Sequence, residues 1–234
     1  MPTLRLRLPR LSSFRAFQHR SFVYLWLGSL VSNIGTWMEA IALGVYVTET
    51  TGRAEWTGGI AALTFLPAAL LSPVGGALAD RFDRRRYLAA GTVVQALLAV
   101  ALVMLAFTGH LTVSAVSVIA FLNGCTSAII NPAFTALLAE LVPPEELHSA
   151  LSLNSAQYNL GRIVGPVLAA TVLSAGGASW AFAVNALSFF AVLLALSRVR
   201  MPARPPAKQV ENLGEGLVRG VTVAWRDEGI SLAL

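Results

Sequence analysis

The chain alternates long apolar stretches with short clusters of charged residues. No Asp, Glu, Lys or Arg occurs over residues 56–79, 87–139 or 163–197. A bilayer core about 30 Å thick is crossed by roughly 20 apolar residues in a helix. The stretch 87–139 is therefore long enough for two helices, joined by a turn at Gly109 and His110. The pattern predicts an all-α integral membrane protein with a bundle of six transmembrane helices.

The predicted bundle occupies residues 22–197. Its helices are expected near 22–48, 57–79, 87–108, 111–134, 150–173 and 179–197. The fourth should continue beyond the hydrocarbon toward Pro143, because proline lacks a backbone donor and disfavours helix before it. We expect a cytoplasmic arm over 1–21 and a cytoplasmic linker with a short amphipathic helix over 198–228. Residues 229–234 look like the truncated start of a seventh span.

Composition narrows the possible functions. Hydrophobic residues make up 56% of the chain and charged residues 12%, about half the charged share of a soluble domain. A soluble or disordered protein is therefore excluded. Cys125 is the single cysteine and the three histidines are scattered, so we expect no cofactor, no metal site and no catalytic cluster of an enzyme.

Basic residues predict the orientation. They cluster in the N-terminal arm, after the second helix and after the sixth helix, at Arg5, Arg7, Arg10, Arg15, Arg20, Arg81, Arg84, Arg85, Arg86, Arg198, Arg200, Arg204 and Lys208. The opposite side carries Arg53. Since cytoplasmic loops are enriched in basic residues, we expect a multi-pass protein of the cell membrane with a cytoplasmic N-terminus. The net charge of +5 then reflects topology, and no nucleic-acid partner is expected.

Two pairs of similar short segments suggest an internal repeat. Residues 33–36 (Asn-Ile-Gly-Thr) recur as residues 123–126 (Asn-Gly-Cys-Thr), 90 positions later. The Pro-Val pair at 73–74 recurs at 166–167, 93 positions later. These nearly equal offsets are consistent with a three-plus-three inverted repeat of the kind found in many transporters. Chance identity is the alternative.

Glu39 and Arg162 are opposite charges inside predicted spans. A charge in the membrane interior costs several kcal/mol unless it is protonated, paired or facing water. A carboxyl group can take up and release a proton, whereas arginine keeps its proton and can hold a counter-charge or an anionic substrate. We hypothesise that the two residues lie near one another or face a common cavity, with Glu39 as the proton carrier. Purely structural roles are the alternative for both.

Other polar and aromatic residues at membrane depth are candidates for a substrate pathway. Tyr158 lies one helical turn before Arg162 and shares its face. Trp37 lies near the middle of the first helix instead of at a membrane interface. Interhelical hydrogen bonds would explain most of the intramembrane amides. The amides that we expect to line a pathway are Asn33, Asn131 and Gln157.

The loop after the second helix gives the most distinctive local signal. Residues 75–86 read GGALADRFDRRR, and four arginines with two aspartates exceed what topology requires. Such a loop can act as a charged latch that changes partners between conformations; a solvated loop is the alternative. Residues 161–166, GRIVGP, combine two glycines four apart with a proline that bends a helix.

These motifs resemble the major facilitator superfamily. The loop is similar to the signature G-x-L-x-D-R-x-G-R-R, and Asp83 stands where many members have glycine. The matching positions are Gly76, Leu78, Asp80, Arg81, Arg84 and Arg85. Residues 22–38 and 141–169 resemble the branch of enterobactin exporters and multidrug efflux proteins. A fifth-helix motif associated with antiporters is matched in part by Gly161, Gly165 and Pro166.

The resemblance implies the N-terminal half of a twelve-helix transporter, in which two six-helix bundles rock around a central cavity. It implies proton-coupled efflux, by antiport, of a small amphipathic molecule such as a siderophore or a drug. The implied partners are the lipid bilayer, protons, a small-molecule substrate, and the missing C-terminal half or a second half-transporter. The alternatives are a non-transporting six-helix assembly or regulatory protein and an inactive transporter fragment.

Overall fold

The computed structural model describes residues 12–201 and consists of six long α-helices. They are α1 (Arg20–Thr51), α2 (Glu55–Arg81), α3 (Arg84–Phe107), α4 (Val113–Glu140), α5 (Leu147–Gly176) and α6 (Ala178–Arg198). Each is long and apolar enough to cross a membrane. Short 3-10 helices occupy Ser12–Gln18 and Pro144–Glu146. The expected all-α membrane bundle is confirmed.

The helices lie where the apolar stretches predict them, and most extend a few residues further at their ends. Glycine ends α1, because Gly52 adopts a left-handed conformation with φ of 68° that other residues disfavour. The fourth helix ends at Glu140, shortly before the two prolines, as expected. The predicted amphipathic helix and the predicted start of a seventh span lie outside the described residues.

The described part of the N-terminal arm packs against the bundle. The 3-10 helix Ser12–Gln18 contacts the start of α5, where the backbone N–H of Ala16 donates to Oγ of Ser149 over 3.2 Å. Ala16 is completely buried. Next to it, Nε2 of His19 lies 2.8 Å from Oε2 of Glu146. The segment before α1 is therefore fixed to the loop between α4 and α5.

The set of neighbouring helix pairs is symmetric between the first three helices and the last three. α1 packs along α5 and α6, α4 packs along α2 and α3, and α3 contacts α6. Exchanging α1 with α4, α2 with α5 and α3 with α6 leaves this set of neighbours unchanged. This pattern fits the three-plus-three repeat expected from the two pairs of similar segments.

Two glycines 90 positions apart serve equivalent contacts in this pattern. A β-carbon at Gly75 in α2 would lie 2.8 Å from the carbonyl oxygen of Ala128 in α4. One at Gly165 in α5 would lie 3.0 Å from the backbone nitrogen of Met38 in α1. Small residues let helix backbones approach closely in membranes, so these glycines set the spacing of the α2–α4 and α1–α5 pairs.

Candidate functional site

Glu39 is buried in the contact between α1 and α6. Its Oε2 accepts a hydrogen bond from Nδ2 of Asn185, with 2.6 Å between the two atoms. Oδ1 of Asn185 in turn accepts from Oγ of Ser188 over 3.2 Å. Both Glu39 and Asn185 are less than a tenth exposed, at 7% and 1%. A neutral amide thus holds the carboxyl group, and no cation pairs with it in the region 12–201.

A glycine one turn before Glu39 makes room for this polar contact. A β-carbon at Gly35 would lie 2.6 Å from Oγ of Ser188 and 2.7 Å from Oδ1 of Asn185. Any larger residue at 35 would therefore displace the amide that binds Glu39. The α1–α6 contact is built around the carboxyl group and is not uniformly apolar.

Trp37, Tyr158 and Arg162 form a second cluster, on the contact between α1 and α5. Cζ of Arg162 lies 5.8 Å from the centroid of the Trp37 ring. The rings of Trp37 and Tyr158 are 5.8 Å apart in an edge-to-face arrangement. Tyr158 and Arg162 are exposed and Trp37 is half-buried. We call these three residues the Arg162 cluster.

The structure does not bring Glu39 and Arg162 together. Two positions along an α-helix correspond to a rotation of about 200°, so Trp37 and Glu39 project from nearly opposite sides of α1. Trp37 contacts Arg162 on α5, and Glu39 contacts Asn185 on α6. The expected electrostatic pairing is therefore absent from this conformation, and the role of Arg162 as a substrate contact stays a prediction.

The charge of Arg162 is only partly compensated. A basic side chain at the centre of a membrane helix costs about 2.5–3.5 kcal/mol on insertion scales. A cation–π contact returns about 0.5–2 kcal/mol. Within residues 12–201 no carboxylate pairs with this guanidinium. The face of α1 and α5 that carries it is consequently unsuited to lipid and suited to water, protein or a ligand.

The amides expected along a pathway divide into two groups. Nδ2 of Asn33 on α1 donates to Oε1 of Gln157 on α5 over 2.9 Å, and Gln157 also donates to Oδ1 of Asn154. A β-carbon at Gly161 would lie 3.0 Å from Cβ of Asn33, so this glycine admits the pair. Asn131 is exposed on α4. Asn33 and Gln157 thus join helices, while a pathway role stays a prediction for all three.

The loop between α2 and α3 is held by specific contacts. Nη1 of Arg84 lies 2.6 Å from Oε1 of Glu140 at the end of α4, and Nη2 lies 2.8 Å from Oδ1 of Asp80. Arg85 donates to the carbonyl oxygen of Ser197 in α6. Asp83 caps α3 by accepting from the backbone N–H of Arg86. These bonds connect the loop to α4 and α6 in this conformation.

Asp83 explains how this loop does without the glycine of the family signature. Its φ of −60° lies in a region open to every residue. An aspartate at this position satisfies one of the free N–H groups at the start of a helix, so it supplies a cap that glycine cannot. Of the other matching positions, Gly76 and Leu78 are half-buried and Arg81 is exposed.

Asn185 and Glu140 are the partners that sequence reasoning alone misses. Both belong to residue types that occur at many ordinary positions, and each lies far along the chain from the residue that it binds. The nearest sequence signals are that Asn185 is an amide inside an apolar span and that Glu140 is an acid at the end of one. The described residues contain no group of three potential metal ligands.

Comparison with known proteins gives one consistent result. The family described as transmembrane secretion effector matches residues 11–234. The macrolide efflux protein A of Streptococcus pyogenes is 28% identical over 89% of the chain and 52% of its own length. The staphyloferrin A transporter of Staphylococcus aureus is 31% identical over 74% of the chain and 44% of its own length. An enterobactin exporter of Citrobacter koseri is 25% identical over 82% of the chain and 45% of its own length.

The chain spans about half the length of the curated relatives that it matches. These relatives are named as an efflux protein, a transporter and an exporter, not as enzymes. The family match covers nearly the whole chain, and the six apolar helices agree with it. The chain belongs to the transmembrane secretion effector family of the major facilitator superfamily.

Proposed function

We propose that the chain is one six-helix half of an exporter that exchanges protons for a small amphipathic molecule, with Glu39 as the proton carrier. The observation that carries this proposal is a carboxyl group buried at membrane depth whose partner is a neutral amide. A carboxylate paired with a cation would resist protonation. Bound to an amide, Glu39 can exist with or without its proton.

Protonation of Glu39 would change the contact between α1 and α6. A hydrogen bond from Asn185 to an ionised carboxylate is roughly twice as strong as one to a neutral group. Proton binding therefore weakens the link between these two helices. Because α1 also packs on α5 and the Arg162 cluster joins these two helices, a change in α1 packing reaches the proposed substrate face. One proton moving through 100 mV supplies about 2.3 kcal/mol, enough to shift a two-state equilibrium more than tenfold.

Replacement of Glu39 by glutamine tests the proton step. In proteoliposomes of the full chain with a pH gradient, we expect Glu39→Gln to abolish gradient-driven movement of ethidium and of dansylglycine, a cationic and an anionic fluorescent probe. Glutamine keeps the shape and the acceptor for Asn185 but cannot carry a proton. The matched control is Glu49→Gln, an exposed glutamate on the same helix, which should move both probes like the unaltered chain.

Three outcomes are informative. Equal movement in Glu39→Gln and the unaltered chain would contradict the role of Glu39. Movement in the unaltered chain that does not depend on the gradient would contradict proton coupling. If the unaltered chain moved neither probe above the level of empty liposomes, the result would favour the non-transporting alternative over the proposal.

We further propose that the N-terminus lies in the cytoplasm of a cell membrane and that the Asp80–Arg86 loop is a gate latch. The bonds of Arg84 to Asp80 and Glu140 support the latch, because such contacts can be exchanged as helices move. The excess of basic residues at this end of the bundle supports the orientation.

Single-cysteine labelling tests the orientation. In a Cys125→Ser background, Arg53→Cys should react with a membrane-impermeant maleimide in intact cells, because Arg53 lies in the exposed loop between α1 and α2. Arg86→Cys, also exposed, should react only after the cells are permeabilised. The reverse pattern would overturn the proposed orientation, and the Cys125→Ser parent alone gives the background signal.

A further inference from the structure

The middle of α5 carries an exposed arginine with unused hydrogen-bonding capacity. Arg162 lies halfway between Leu147 and Gly176, the ends of the helix. Within residues 12–201 its guanidinium makes one electrostatic contact, a cation–π contact with the ring of Trp37. A guanidinium presents five N–H donors in a planar fork. At membrane depth such donors need an acceptor, and Trp37 provides none.

One of two adjoining aromatic rings contacts this guanidinium. Trp37 is fixed by its close packing against Gly165, whose absent β-carbon would lie 2.6 Å from Cβ of Trp37. Tyr158 lies against the edge of Trp37 and is 43% exposed. Its ring therefore leaves apolar surface beside the arginine. The cluster presents a permanently charged cation and an accessible aromatic ring on one exposed face.

We infer that the Arg162 cluster is a subsite for a carboxylate attached to an aromatic ring, so that the transported molecules include aromatic anions. The fork of Arg162 matches the two oxygens of a carboxylate, and the ring of Tyr158 packs against the aromatic part of the ligand. This inference rests on the proposed export function, since it assigns the substrate class of the same protein. It accounts for a charge that Trp37 alone compensates only in part.

Three probes that share one ring separate charge from hydrophobic contact. Naphthoate, naphthylmethanol and naphthylmethylammonium are titrated by calorimetry into the full chain in phosphatidylcholine nanodiscs, with empty nanodiscs correcting for partition into lipid. We expect naphthoate to bind roughly tenfold more tightly than the alcohol, the gain of a charge-assisted contact. The ammonium probe should bind more weakly than the alcohol.

Variants locate the preference. Arg162→Gln should reduce naphthoate affinity to that of the alcohol and leave the alcohol unchanged, and Arg162→Lys should keep part of the preference. Tyr158→Leu should weaken naphthoate and the alcohol alike. Arg53→Gln, at an exposed loop position outside the cluster, should behave like the unaltered chain. Elution as a single species and an unchanged unfolding temperature establish that each variant is folded.

Naphthoate affinity equal to that of the alcohol in the unaltered chain, or a preference that survives Arg162→Gln, would overturn the inference. Either result would leave Arg162 to a structural role or to a carboxylate of a second half. The assay uses no proton gradient, so its failure differs from failure of the proposed function. If the unaltered chain prefers naphthoate but its transport does not respond to the pH gradient, the proton step alone is contradicted.

Discussion

Replacing Asn185 with leucine should destabilise the bundle by about 3–5 kcal/mol, the cost of leaving a buried charge without its partner. Leucine branches like asparagine but is larger, and it offers no donor to Oε2 of Glu39, which Asn185 binds at 2.6 Å. The free energy of unfolding is measured in mixed detergent micelles at a pH where Glu39 is ionised. We expect the same substitution to cost far less in a Glu39→Gln background, because the group left unpaired is then neutral.

The double-mutant cycle isolates this contact. We expect a coupling free energy of about 1.5–3 kcal/mol between positions 39 and 185, the usual range for hydrogen bonds to charged groups. Asn159→Leu is the matched control, because Asn159 is exposed and its amide bonds to the carbonyl oxygen of Ser155 in its own helix. A coupling near zero, or an equal loss in the control, would show that Asn185 does not hold Glu39.

Two adjacent glycines of α2 should respond in opposite ways to alanine. A β-carbon at Gly75 would lie 2.6 Å from the carbonyl oxygen of Ile129, and this backbone atom cannot move without shifting α4. A β-carbon at Gly76 meets nothing within 4 Å. We expect Gly75→Ala to lower the free energy of unfolding by about 1–3 kcal/mol, the usual cost of overpacking. Gly76→Ala should leave it unchanged or raise it by up to about 1 kcal/mol, since alanine favours helix.

Thermal unfolding of both variants in the same detergent measures the difference. Because the two positions are neighbours in the interior of one helix, helix propensity is matched between them. Equal unfolding temperatures would mean that α2 and α4 separate easily and that Gly75 does not set their spacing. Gly165→Ala extends the comparison to the equivalent contact of α1 and α5, where the same direction of effect is expected.

The number, type and approximate bounds of the helices could be predicted from the sequence because each depends on a local property. A span needs an apolar stretch of a length fixed by the bilayer. The three charge-free stretches supply it for α2, α3, α4 and α6, while α1 and α5 are apolar stretches that each carry one charge at depth, Glu39 and Arg162. The stop after Glu140 and the face shared by Tyr158 and Arg162 follow from the chemistry of proline and the period of the helix. The family likewise rests on motifs that are short and contiguous.

The contacts of the candidate site were less predictable. Glu39 and Arg162 are opposite charges in apolar spans, so the sequence favoured a pairing between them. In the structure Glu39 contacts Asn185 on α6, whereas Arg162 contacts Trp37 on a different side of α1. The choice between α5 and α6 as the neighbour of a given side of α1 depends on how glycines such as Gly28, Gly35 and Gly165 let helices approach. No local pattern in the chain encodes that choice.

The sequence by itself determined that residues 12–201 hold six stretches long and apolar enough to cross a membrane, which residues bear charge at depth, and to which superfamily its motifs are similar. Tertiary structure alone decided that Asn185 holds Glu39, that Trp37 contacts both Arg162 and Tyr158, and that Arg84 ties α2 to α4. The physical reason is the range of each interaction. Hydrophobicity and helical period act within one segment, whereas a partner is chosen by packing between helices distant in the chain.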